Sequence, residues 1–118
     1  MNLEKLYQEM GCDMADAVRR LGSASAVERF LRMFAGDDTF AMLQAAMSAG
    51  DVQRAFRAAH TLKGLAANLG LVQLGQAASA LTEALRGSDM QRASALYPET
   101  AAAYREACAA IGDLDTDA

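Results

Sequence analysis

The sequence has no tryptophan, one proline, one histidine and two cysteines in 118 residues. Each shortage excludes something. Only 4 Val and 1 Ile stand against 27 Ala, 14 Leu and 7 Met. Strands favour β-branched and aromatic side chains, whereas Ala, Leu and Met are strong helix formers, so an all-α fold is expected. Cys12 and Cys108 lie near opposite ends, and with a single histidine they make no ligand set at any usual metal spacing. They are expected to be reduced thiols of a cytoplasmic protein. The 11 basic side chains are outnumbered by 15 acidic ones and are spread along the chain. No positive stripe exists to replace counterions on phosphates, which argues against a nucleic-acid partner. No apolar run approaches the roughly 18 residues of a membrane span, and Met1-Asn2-Leu3-Glu4-Lys5 lacks the basic and then apolar order of a signal peptide.

What the sequence does have is regular punctuation. At roughly 150 residues per domain the length implies one domain, 1–118. Gly11-Cys12-Asp13, Gly22-Ser23, Gly36-Asp37-Asp38, Gly50-Asp51, Gly70 and Gly87-Ser88-Asp89 read as turns. Glycine ends a helix in the left-handed region, and Ser or Asp caps the next one. The expected helices are 3–10, 14–21, one opened by a capping box at Ser25-Ala26-Val27-Glu28, 52–69 capped by Asp51, 72–86, and 90–111. Gly36-Asp37-Asp38 can either separate two helices or be a weak point in one, and we favour a single bent helix over 26–48. Pro98 should bend the last helix or mark its true start. Leu74, Ala78, Leu81 and Leu85 form one apolar stripe, and Met10, Met14, Met33, Met42 and Met47 are assigned to the core. Long amphipathic helices joined by short turns pack best as an antiparallel four-helix bundle, here with a short N-terminal helical extension, a core over about 25–112 and a polar tail over 113–118. The acidic pairs Asp37-Asp38 and Asp115-Asp117 read as solvated turn and tail.

His60 sits in the middle of the helix 52–69. At roughly 100° per residue, Ala55, Ala58, Leu62, Leu65 and Leu69 fall on the opposite side, so the imidazole should face water. On its own side lie Gln53, Phe56, Arg57, Lys63, Gly64 and Ala67. A glycine inside an exposed helix costs about 1 kcal/mol relative to alanine, and this chain uses alanine at almost every other small position. What Gly64 offers is an absent side chain one turn from the ring, where another molecule can approach. Lys63 supplies a cation, and Arg57 another one turn away. A neutral imidazole nitrogen is a nucleophile near pH 7, and such a nucleophile flanked by cations suggests phosphoryl acceptance.

The run Ala59-His60-Thr61-Leu62-Lys63-Gly64-Leu65-Ala66-Ala67-Asn68-Leu69-Gly70 resembles the signature of histidine-containing phosphotransfer (HPt) domains, carried by His60, Lys63, Gly64 and Gly70. Weaker resemblance extends over residues 13 to about 112. It implies a four-helix bundle in a multistep phosphorelay, with His60 as the phosphorylated residue, Lys63 stabilising the phosphoryl oxygens and Gly64 leaving room for a docking receiver domain. The partners implied are receiver domains of response regulators or hybrid histidine kinases. Phe56, Arg57 and Ala67 are the candidate docking residues, with Phe56 either an exposed aromatic anchor or covered by a neighbouring helix, and Arg57 either a contact or a solvated helix charge. The receiver would provide the acidic pocket and the Mg²⁺, so the chain would need no cofactor of its own. Some members of the family place a glutamine from the following helix near the ring; ungapped spacing puts Thr82 there, and Thr82 is not taken as a site residue.

No G-x-x-x-x-G-K-[ST] loop is present, nor a carboxylate cluster suited to Mg²⁺ with ATP, so a carrier rather than an autonomous kinase is expected. Nothing supplies a serine or cysteine nucleophile with His60 as its base. The other reading is a helical adaptor or dimerisation module with an incidental surface histidine. Met1 and the polar C-terminus favour a free-standing protein, and a self-contained bundle suggests a monomer.

Overall fold

The computed structural model describes residues 1–114. They form seven helices: α1 (Leu3–Met10), α2 (Met14–Leu21), α3 (Ala24–Ala35), α4 (Thr39–Ala49), α5 (Val52–Asn68), α6 (Val72–Arg86) and α7 (Met90–Gly112). Among the described residues there is no strand. The caps explain most boundaries. Asp13, Asp51 and Asp89 each accept the N–H three residues on, at 2.9, 3.1 and 3.0 Å, satisfying a donor that the first turn cannot. Gly11 and Gly50 close α1 and α4 in the left-handed region at φ 63° and 67°.

The structure corrects the expected boundaries in three places. The cap of α3 is Ser23, whose Oγ accepts from Ala26 N at 3.0 Å, so Ser25 lies inside the helix and the expected capping box does not form. Residues 26–48 are two helices. The Asp37 carboxylate accepts from Thr39 N at 2.7 Å and starts α4 afresh, while Gly36 N–H turns back to Met33 O. Aromatic packing gives the reason. Phe34 and Phe40 flank the break and both meet Tyr104 of α7, at ring separations of 5.6 and 4.2 Å. In one continuous helix, six residues of separation would set them about 120° apart, unable to share that ring. Pro98 lies inside α7, which begins at its Asp89 cap, so the proline does not mark the start.

Helices α4 to α7 form the bundle, each packed on the next. The short turns between them make neighbours antiparallel, and the Phe40 stack on Tyr97 and Tyr104 ties α4 to α7. Small residues let α5 and α6 pack closely on their neighbours: Ala55, Ala58, Ala59, Ala66, Ala77 and Ala78 are buried, and a Cβ on Gly75 would sit 3.8 Å from that of Ala66 across the α5–α6 seam. Leu62, Leu74, Leu81 and Leu85 fill the interior. Met10, Met14 and Met47 pack against the core, but Met33 and Met42 are 60% and 59% exposed. Helical spacing alone could not separate those two from the core set, because both lie beside buried neighbours.

The N-terminal helices clamp one end of the bundle. Tyr7 of α1 donates to Leu69 O at 2.6 Å, Asp13 N–H donates to Gly70 O at 3.0 Å, and the Met1 ammonium donates to Asp113 O at 3.0 Å. The polar tail therefore starts later than expected, since Leu114 is buried in the core. The pair Asp115-Asp117 lies outside the described residues. Cys12 and Cys108 are both free thiols. No helix of the described residues is long and apolar enough to cross a membrane.

Candidate functional site

The site grows from the two-sidedness of α5. Ala55, Ala58, Ala59, Leu62 and Ala66 are buried along one side, and His60 and Gly64 stand exposed on the other. The wheel expected from sequence holds, except that Leu65 is half-buried and Ala59 joins the interior. The imidazole thus projects from the middle of a helix of 17 residues, whose backbone is fixed by internal hydrogen bonds and by α4 and α6 on its flanks.

Around the ring, α5 contributes Lys63 and Gly64. Lys63 is half-buried and lines the groove between α5 and α6 with Ala67, Gln76, Ala80 and Glu83. At Gly64 a Cβ would meet no heavy atom within 4 Å. The glycine is helical, exposed and uncrowded, so neither backbone geometry nor packing requires it.

Phe56, one turn before His60, is half-buried, and its ring centroid lies 5.9 Å from that of the imidazole. The Arg86 guanidinium of α6 covers the Phe56 ring at 5.0 Å, and Arg86 Nε donates to Glu83 Oε2 at 2.8 Å. That hydrogen bond and the Arg86 charge hold the Glu83 carboxyl below the usual carboxylate range, with smaller contributions from Lys63 and His60. Glu83 and Arg86 therefore belong to the surroundings of His60. The inward stripe of 72–86 does not point to them; their signal is an acid–base pair at i, i+3 in the helix that follows the histidine.

The remaining candidates are distributed along α5. Arg57 is exposed and lines both a groove toward α4, with Met42 and Thr61, and the hollow shared with Phe56 and Arg86. Ala67 lies a turn beyond Lys63 in the α5–α6 groove, whose far wall carries Asp16 and Arg20 of α2. Thr82 does not approach the ring. It is fully buried, and its Oγ1 donates to Ala78 O at 2.6 Å. Among the described residues, no group of three or more His, Cys, Asp or Glu side chains is placed to hold a metal ion.

A comparison with protein families matches residues 29–113 to the Hpt domain. No curated protein and no solved structure matched the chain significantly. The matched span runs from within α3 to the end of α7 and includes the whole of α5 and its histidine. With most of its length covered, the chain belongs to the Hpt domain family.

Proposed function

We propose that His60 is the phosphoryl-carrying residue of this chain, accepting the group from an aspartyl phosphate of one receiver domain and passing it to the aspartate of another. Hpt domains serve histidine phosphotransfer in phosphorelays, and the observation that carries the residue assignment is the single histidine of the chain, exposed mid-helix beside Lys63 with open space over Gly64. In the forward step a lone pair on a ring nitrogen forms the P–N bond. The P–O bond to the donor carboxylate breaks, and its electron pair leaves with that carboxylate. The return step reverses both changes, so the carrier is regenerated.

The work asked of this chain is positioning and electrostatics. A rigid helix holds the ring out from the surface, Lys63 neutralises part of the charge on the phosphoryl oxygens, and Gly64 lets a receiver bring its aspartate to the ring. Arg57, Phe56 and Ala67 lie on the rim such a partner would cover. The acidic pocket and the Mg²⁺ belong, in this reading, to the receiver. The chain acts as substrate and carrier, and a separate histidine kinase starts the relay.

Intact-mass measurement after incubation with phosphoramidate, on wild type and His60→Gln, tests the assignment. One added phosphoryl group on wild type alone, lost in acid and kept in alkali, is the expected result, since a phosphoramidate bond is acid-labile. A folded wild type that takes no label from phosphoramidate or from a phosphorylated receiver would leave the helical adaptor as the better reading.

A further inference from the structure

Carrying a phosphoryl group places about −1.5 to −2 of charge on a neutral ring, and the cations around it decide how stable that state is. Three stand around the ring. Arg57 and Lys63 come from the same helix, one turn before it and one turn on. Arg86 comes from α6 and is held in two ways: over the Phe56 ring, which touches the imidazole, and by the Glu83 carboxylate at 2.8 Å. The second hold takes up the Nε–H of the guanidinium. Arginines on the outer faces of α2 and α5 also pair with carboxylates three or four residues away. Arg86 differs from them in resting on a ring that meets His60.

We propose that Glu83 sets the phosphoryl-transfer potential of His60 by competing with the phosphoryl group for Arg86. This rests on His60 being the carrier. A guanidinium binds phosphate oxygens well through paired N–H donors, so a phosphoryl group on His60 draws Arg86 across Phe56. Glu83 resists that movement and repels the phosphoryl oxygens directly. Both effects weaken the phosphorylated state relative to the free ring and make the group easier to pass on. Arg86 pulls the other way, and Glu83 is a positioning residue that acts largely through it. The balance lets the chain hold phosphate long enough to meet a receiver without trapping it.

The potential can be read against free imidazole. Wild type, Glu83→Gln, Arg86→Gln and the double variant are brought to equilibrium with phosphoimidazole and imidazole, so that one P–N bond is exchanged for another, and the labelled fraction is measured by intact mass. At low salt Glu83→Gln should raise the ratio of labelled to unlabelled chain by about fivefold, the upper end of what an exposed ion pair such as Glu83–Arg86 is worth. Arg86→Gln should lower it by a similar factor, and in that background the Glu83→Gln effect should shrink. At 1 M salt, where charges are screened beyond about 3 Å, the differences should fall below about twofold. A phosphorus-31 titration should show the phosphoryl second ionisation at lower pH in Glu83→Gln than in wild type. Equal ratios for wild type and Glu83→Gln at low salt, with the label on His60, overturn this inference alone. So does an effect indifferent to salt, which would mark a merely structural role. A chain that takes no label on His60 overturns the carrier reading and this inference with it.

Discussion

Two glycines six residues apart, Gly64 and Gly70, sit in the same motif for opposite reasons. Gly70 has φ +64°, a conformation that costs a side-chain-bearing residue strain. A Cβ there would also fall well inside contact distance of the Asp13 carbonyl oxygen, a backbone atom of the segment before α2. Gly64 has an ordinary helical backbone and nothing within 4 Å of a Cβ. The first glycine is demanded by the fold. The second is tolerated by it at a cost in helix stability, and in the proposed carrier function its reason is the receiver that must come near His60.

Substituting each glycine turns that contrast into numbers. Gly70→Ala should lose roughly 3 kcal/mol, combining left-handed strain with displacement of the Asp13 backbone, measured by denaturant unfolding. A loss under about 1 kcal/mol would show that the junction with α2 yields easily. Gly64→Ala should instead gain about 1 kcal/mol from helix propensity. A larger side chain there, Gly64→Gln, should leave labelling of His60 by phosphoramidate near the wild-type rate while slowing exchange with a receiver domain by about tenfold, equivalent to about 1.4 kcal/mol of lost docking. Equal slowing with the small donor would place the fault in the ring and sink the idea that Gly64 serves a docking partner.

The contrast also shows what a sequence can and cannot display. The bundle was legible because its signals are local: Asp51, Asp89 and the left-handed glycines mark ends, and the stripe at 74, 78, 81 and 85 marks a buried side. The direction of His60 followed from helical geometry alone. The break at 36–38 was not legible, because its cause is Tyr104, some 65 residues further along, drawing Phe34 and Phe40 onto one ring. Met33 and Met42 were misassigned for a related reason, since spacing says which residues share a face but not which faces find a neighbour. Gly70 reads as a helix stop and as part of the motif; that the Asp13 backbone packs against it is a tertiary fact. Glu83 and Arg86 become neighbours of His60 only once α6 is folded against α5.

The clamp at Gly70 has a second arm. Tyr7 donates to Leu69 O, and Tyr7 lies in α1, outside the residues matched to the family. Tyr7→Phe should therefore cost about 1 kcal/mol at neutral pH and alter the alkaline limb of stability. Burial pushes the Tyr7 phenol well above its ordinary range, with the Cys12 thiolate adding to the shift. Burial also pushes Tyr104 up to about 12, with Cys108 and Asp37 reinforcing it. In the unfolded chain both ionise near 10, so above that pH the unfolded state binds fewer protons than the folded one and stability falls as pH rises. Their full contribution is present below about pH 10. Denaturation midpoints at pH 8 and pH 11 should drop less steeply in Tyr7→Phe than in wild type. Parallel drops would mean that the phenol is already ionised, or open to water, in the folded protein.

Thr82 gives the smallest expected effect and the sharpest check on how family positions map to this chain. Aligned without gaps, it falls where a polar partner of the ring would stand, yet its side chain points into the core and its hydroxyl returns to Ala78 O. That carbonyl lies four residues back in the same helix, within reach of the Thr82 backbone N–H, so losing the hydroxyl leaves it with its helical partner. Thr82→Val keeps the branch and removes only this bond, whose effect in a helix interior is small. Stability should change by less than about 1 kcal/mol, and the rate of His60 labelling by phosphoramidate should not change. Glu83→Gln, one residue further along α6, should alter the phosphoryl equilibrium while leaving stability nearly untouched. If Thr82→Val slowed labelling and Glu83→Gln did not alter the equilibrium, the face of α6 turned to His60 would have to be rotated by about 100° from the one described, and the neighbours of the ring assigned anew.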